Sequence, residues 1–203
     1  MGKRSTSQAS LFGNEEPRCD ASFGSLRRVE LGQGAWLDIA PGWLSGHARL
    51  LDALVRETRW RSEERMMYER MVDVPRLYAV LPDDGPGHPV IEEMRALLDR
   101  RYDTEFVRTG LALYRDGRDS VAWHGDQVAR RMHSALVATV SIGAPRRFLM
   151  RPYGGGRSIV HSLGWGDLVV MGGTCQRTWQ HALPKVAYAE PRIAIMFRPN
   201  WEE

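Results

Sequence analysis

Between residues 45 and 60 apolar side chains recur three and four apart, at Leu50, Leu51, Leu54 and Val55, and the run continues towards Trp60. This spacing gathers them on one face of an amphipathic helix, and Ser45 stands where an N-cap belongs. A second helix is predicted from Pro89, a favoured first-turn residue, with Ile91, Met94, Leu97 and Leu98 on one side. After residue 104 the period changes. Short β-prone runs follow at Phe106–Tyr114, Ser120–His124, Leu136–Ile142, Arg147–Met150, Ser158–Leu163, Leu168–Met171, Arg177–His181 and Arg192–Phe197. Turn signals divide them, among them Asp116-Gly117, Tyr153-Gly154-Gly155-Gly156 and Trp165-Gly166-Asp167. Helices first and strands afterwards predict an α+β domain, with N-terminal helices backing a β sandwich or barrel.

Residues 1–25, rich in Ser, Gly and small polar types, read as a mobile or irregular arm. Residues 26–203 read as a single domain, with helices and a further lid-like region over 26–105 and a β core over 106–203. A chain of 203 residues can remove about 70% of its unfolded surface from water, enough for a sizeable core. The net charge is +3, but 26 of the 28 basic residues are Arg. Arg grips phosphate and carboxylate through a flat fork of donors, so the skew suits anionic ligands. Cys19 and Cys175 are too few for a disulfide framework or a Cys-rich zinc site, which points to a reducing, cytoplasmic setting. No apolar run approaches the length of a membrane span, and a monomer with no membrane contact is expected.

The candidate chemistry begins at Val121-Ala122-Trp123-His124-Gly125-Asp126-Gln127. On a strand, residues two apart point to the same face, so His124 and Asp126 can converge on one ion. As a bare pattern this is cheap: 6 His and 25 acidic residues give roughly 0.7 chance matches per chain. His181, in another strand-like run, can supply a second imidazole. Two His and one carboxylate with open positions form the facial triad of non-haem Fe(II) oxygenases. Arg192 and Arg198, six apart, share a strand face on which a dicarboxylate could be held by bidentate contacts. His47, His88, His133 and His161 lack a carboxylate two residues on and read as structural or surface residues.

In order along the chain, Tyr114, His124-x-Asp126, the lone His181 and Arg192-x5-Arg198 resemble the AlkB family of Fe(II)- and 2-oxoglutarate-dependent dioxygenases. The segments LYRDGRDSVAWHGD, SIGAPRRFLMRPYGGGRSI, GDLVVMGGTCQRTWQHALPK and PRIAIMFRP look like its bacterial branch. The likeness is strong over 110–200 and looser through Met67-Tyr68-Glu69-Arg70 and Val74-Pro75-Arg76-Leu77. It implies a double-stranded β-helix, a jelly roll with iron at its open end. His124, Asp126 and His181 would bind Fe(II). Arg192, assisted by Tyr114, would hold the distal carboxylate of 2-oxoglutarate, and Arg198 would lie near the metal-bound end of the cosubstrate and Asp126. The implied reaction couples 2-oxoglutarate and O2 to hydroxylation of an N-methyl group, releasing formaldehyde, succinate and CO2. Its implied substrates are 1-methyladenine and 3-methylcytosine lesions in single- or double-stranded DNA, with RNA also possible, and the base must be flipped out or unpaired to react. Arg76 and Tyr78, where the family builds its nucleotide lid, are the weak candidates for substrate contact.

Two positions depart from the family pattern. Ala112 stands where many members carry an Asn that helps to hold 2-oxoglutarate, so another donor must compensate or affinity falls. Gln127 and Val128 replace an acidic residue that reads the lesion base. These departures keep other readings open: the same iron centre acting on RNA or a small molecule, and an inactive nucleic-acid-binding homologue; a zinc hydrolase using the same three ligands stays open because ligand types alone do not identify the metal.

Overall fold

The computed structural model describes residues 15–67, 70–126 and 129–200. An eight-stranded sheet runs in the order β2 (Arg27–Gly32), β3 (Ala35–Ala40), β12 (Asp167–Gly173), β9 (Val137–Gly143), β14 (Arg192–Pro199), β7 (Phe106–Tyr114), β6 (Arg70–Leu81) and β5 (Arg61–Met67). A four-stranded sheet packs on part of it, in the order β11 (Ile159–Leu163), β10 (Arg146–Pro152), β13 (Trp179–Leu183) and β8 (Val121–His124). Two short strands, β1 (Arg18–Cys19) and β4 (Leu44–Ser45), pair separately, and neighbouring strands are antiparallel throughout. From β7 to β14 the chain passes repeatedly between the two sheets, which is the double-stranded β-helix.

The strand period decides what each face of the large sheet meets. On β14, Ile193, Ile195 and Phe197 are buried against α1 (His47–Glu57) and α2 (Pro89–Tyr102), where Leu50, Leu54, Ile91, Met94 and Leu98 complete the main core. The alternate residues Arg192, Ala194, Met196 and Arg198 face the space between the sheets. A one-residue slip would exchange the two sets and drive two guanidiniums into the helical core, so burial strongly specifies the register. A second core of Leu37, Val137, Val169, Phe148, Met150 and Leu163 joins the two sheets.

The helix beginning at Pro89 is found as expected, and all eight strands expected after residue 104 form within a few residues of their predicted bounds. Three readings need correction. The first helix is capped by Gly46 in the left-handed region, not by Ser45, and it ends at Glu57 before Trp60. Strands β1–β4 precede that helix and the β5–β6 hairpin separates it from the second, so the N-terminal part is not simply helical. Residues 15–25, assigned to the arm, put Cys19 and Phe23 into the core, where Phe23 stacks on Trp43 with ring centroids 5.5 Å apart. Nothing in local apolar spacing marks β3, because Asp38 interrupts it while being only 1% exposed. Arg28 of β2 grips Asp38 through Nε and Nη2 at 2.7 and 2.8 Å, and the Tyr102 hydroxyl of α2 donates to it at 3.0 Å. A buried carboxylate satisfied this fully is tolerated where an unpaired one would not be.

Candidate active site

A cavity of about 120 Å³ opens between the sheets, walled by Tyr114, His124, Asp126, His181, Arg192 and Arg198 among others. Residues distant in the chain therefore reach one space because β7, β8, β13 and β14 converge there.

His124 and His181 are direct cross-strand partners of β8 and β13, with ring centroids 4.2 Å apart. The Nδ1 of His124 lies 2.8 Å from the Ala122 carbonyl. Donation to that oxygen selects the tautomer in which Nε2 carries the lone pair, the form a metal accepts. Burial, with the neighbouring His124 and the guanidiniums of Arg198 and Arg76 adding to it, holds the His181 imidazole well below its usual titration range, so this ring is neutral. Its outer wall is Phe148, 5.4 Å away between centroids.

Asp126 reaches the cavity by a different route from the one expected. β8 ends at His124, so Asp126 lies on the irregular segment beyond it and not on the strand. Two contacts hold it. Its backbone N–H donates to Gln176 Oε1 at 2.9 Å, and Arg198 Nε donates to its Oδ2 at 2.6 Å. Gln176 belongs to the short helix α3 (Cys175–Thr178), which immediately precedes the strand carrying His181, and is 2% exposed. No local pattern singles it out, since only the fold brings 126 and 176 together. Among the described residues no three His, Cys, Asp or Glu side chains are already grouped as a metal cluster. The imidazoles touch, while the carboxylate is engaged by Arg198.

Elsewhere on the cavity wall, Arg192 is 2% exposed, donates through Nη2 to Ser141 Oγ at 2.7 Å, and leaves Nε and Nη1 buried without a protein partner. Its guanidinium carbon lies 5.2 Å from the centre of the Tyr114 ring. Burial lowers its proton affinity, but an Arg begins so high that it stays charged. A second buried guanidinium, Arg146, is near enough to Tyr114 and Arg192 to act on both electrostatically. It donates to the carbonyls of Asp116, Asp119 and Pro184, pinning the turn after Tyr114 to the segment after His181. Arg76 of β6 extends inward, its Nη1 3.4 Å from the Tyr114 hydroxyl, with Nε buried and unpartnered. Ala112 is packed with Tyr114, Leu183 and Ala194 into a small apolar patch and supplies no side-chain donor of its own.

Tyr78 is not on the cavity wall; it keeps company with Arg61 across the β5–β6 hairpin. Gln127 and Val128 lie outside the described residues. None of His47, His88, His133 and His161 reaches the cavity, and His88 instead caps α2 by accepting from the Val90 N–H.

The chain is similar to known proteins in sequence and in fold. The human alpha-ketoglutarate-dependent dioxygenase alkB homolog 3 is 29% identical over 171 residues, covering 73% of this chain and 60% of the human protein. The bovine protein of the same name is 31% identical over the same span, with the same coverage. The chain thus matches about 60% of the length of these relatives. Among solved structures, that of OsALKBH1 has a TM-score of 0.56 at 12% identity, covering 86% of this chain and 100% of that one. A 2OG-Fe(II) oxygenase family oxidoreductase from Burkholderia pseudomallei has a TM-score of 0.55 at 13% identity, covering 82% and 86%. At such identities the structures speak for the fold alone. Residues 39–198, which include every strand that walls the cavity, match the 2OG-Fe(II) oxygenase superfamily, and to that superfamily the chain belongs.

Proposed function

We propose that the protein is an Fe(II)- and 2-oxoglutarate-dependent dioxygenase that removes N-methyl groups from alkylated nucleobases in DNA, of the 1-methyladenine and 3-methylcytosine type. The observation that carries the cosubstrate is Arg192. A buried guanidinium with two unpartnered N–H-bearing nitrogens costs several kcal/mol unless an anion completes it. Tyr114 stands beside it to share that anion's carboxylate. The donor set supports the metal in the same way, because two neutral imidazoles and an ionised carboxylate are what Fe(II) accepts. Nucleic acid as the substrate class is supported by the AlkB resemblance and by a basic complement that is almost entirely Arg.

In this reading His124, His181 and Asp126 hold the iron. The bound iron supplies the redox chemistry that O2 and 2-oxoglutarate require. The chain's own work is positioning and charge. The Ala122 carbonyl orients His124, Gln176 fixes the backbone at Asp126, and Arg198 holds one of the two Asp126 oxygens. Arg192, Ser141 and Tyr114 would hold the distal carboxylate of the cosubstrate. Phe148, Met171, Leu183 and Met196 line the cavity and limit water there.

The test is turnover of methylated oligonucleotides in air with Fe(II) and 2-oxoglutarate, offered as single-stranded DNA, duplex DNA and RNA. Formaldehyde and succinate in equal amounts from DNA are expected. No formaldehyde from any nucleic acid refutes the demethylase reading, and activity confined to RNA refutes the DNA assignment.

A further inference from the structure

Beside the cavity lies a second depression of about 440 Å³, bounded by the β6 segment Val74–Leu77, the turn 115–119 and Lys185. Arg76 belongs to both, so its side chain is the partition between them. The outer basin is held open by rigid contacts. Ser120 N–H donates to the Pro75 carbonyl at 2.7 Å, Val186 N–H donates to the Gly117 carbonyl at 2.8 Å, and a Cβ on Gly117 would lie 2.3 Å from the Val186 oxygen. Its charge is unbalanced. Arg76, Arg115, Arg118 and Lys185 face two carboxylates, Asp116 and Asp119, and those are taken up by Arg118 and Arg115 respectively. With Arg115 and Arg118 so paired, the excess positive charge runs from the exposed Lys185, through the half-buried Arg76, to the unpartnered Nε and Nη1 of buried Arg192.

We propose that this basin is the vestibule through which the short dicarboxylate cosubstrate reaches the cavity and its dicarboxylate product leaves, with Arg76 passing a carboxylate between the basin and Arg192. The proposal rests on the 2-oxoglutarate assignment made above. Three features favour a small dianion here over a polynucleotide phosphate. Arg76 lines both the basin and the cavity, and on the cavity side it meets the Tyr114 hydroxyl at 3.4 Å, so the basin adjoins the end of the cavity suited to a carboxylate. That contact is long, Arg76 Nε has no partner, and among the described residues no shorter bond of this side chain is found, so it can swing at little cost. A route at this end would also leave the way to the metal clear for a flipped base.

The test uses full-length, iron-loaded protein without O2, mixed rapidly with 2-oxoglutarate while Trp fluorescence and the absorbance of the metal complex are followed. Charges outside the final site steer association more than they hold the bound ligand. Lys185→Glu combined with Arg118→Gln is expected to slow association about tenfold at low salt, with dissociation little changed and the deficit shrinking as salt is raised. Arg76→Gln is expected to slow association and to remove most of its salt dependence. Both sets of changes lie on exposed or half-exposed side chains, and unaltered melting temperatures establish that the variants fold. If 2-oxoglutarate associates with the variants at the wild-type rate, the vestibule is refuted. Unchanged association together with weakened binding of a methylated oligonucleotide refutes it in favour of a phosphate site. Failure of the wild-type protein to bind 2-oxoglutarate removes the cosubstrate assignment and the vestibule together.

Discussion

Replacing Arg192 by Met separates what this side chain does for the fold from what it does for the ligand, because the two effects have opposite signs. The guanidinium is 2% exposed, has Ser141 Oγ as its hydrogen-bond acceptor and Tyr114 beside it, and among the described residues has no carboxylate paired with it. A desolvated cation so poorly compensated is a burden, and exchanging such charges for apolar groups of similar volume stabilises proteins by about 1–4 kcal/mol in favourable cases. Arg192→Met is therefore expected to melt at or above the wild-type temperature. The ligand-bound state loses instead. Two charge-assisted hydrogen bonds from Nε and Nη1 to a carboxylate contribute about 1.5–3 kcal/mol each, so 2-oxoglutarate should bind on the order of 10² to 10⁴ times more weakly. The assay is thermal melting with and without millimolar 2-oxoglutarate in the presence of metal. A wild-type upward shift that vanishes in the variant, on an unchanged or raised baseline, is the expected pair of results. A variant that keeps the shift refutes the assignment of Arg192 to the cosubstrate, and one that melts far below wild type shows that the buried charge is already paid for within the protein.

Three further outcomes follow from other contacts. His124→Ala, Asp126→Ala and His181→Ala should each abolish stoichiometric Fe(II) binding, as measured by anaerobic titration and metal analysis; retained tight binding in any of them removes that residue from the ligand set. Gln176→Leu should weaken Fe(II) affinity about 10- to 100-fold, the usual scale for a residue that orients a ligand, because the Asp126 N–H loses its acceptor; unchanged affinity would show that Arg198 alone positions the carboxylate. Burial pushes the Cys19 and Cys175 thiols up to about 12, so maleimide at pH 8 should label neither until the chain unfolds. Both folded-state values are raised, so the stability these thiols contribute is intact below their ordinary value of 9.0 and is lost as pH rises from there towards about 12. Denaturant titrations at pH 8 and pH 10 should show this fall, and Cys→Ala substitutions should reduce it.

What the linear chain determined by itself is periodic or categorical. The 3.6-residue spacing in α2 and the two-residue alternation in β14 follow from which faces must leave water, and both can be read without knowing their neighbours. Residue type likewise settled that His124, Asp126 and His181 could serve a metal and that Arg192 and Arg198 must share a face. Only the tertiary structure decided the rest, because those features depend on partners remote in sequence. β3 hides Asp38 because Arg28 and Tyr102 satisfy it, which no local pattern reveals. Asp126 leaves its strand yet keeps its place because Gln176, fifty positions later, accepts its N–H. Arg76 turns inward beside Tyr114, while Tyr78, two residues on, stays with Arg61. Burial and hydrogen-bond satisfaction are properties of the assembled sheets, so they become definite only once the strands have chosen their neighbours.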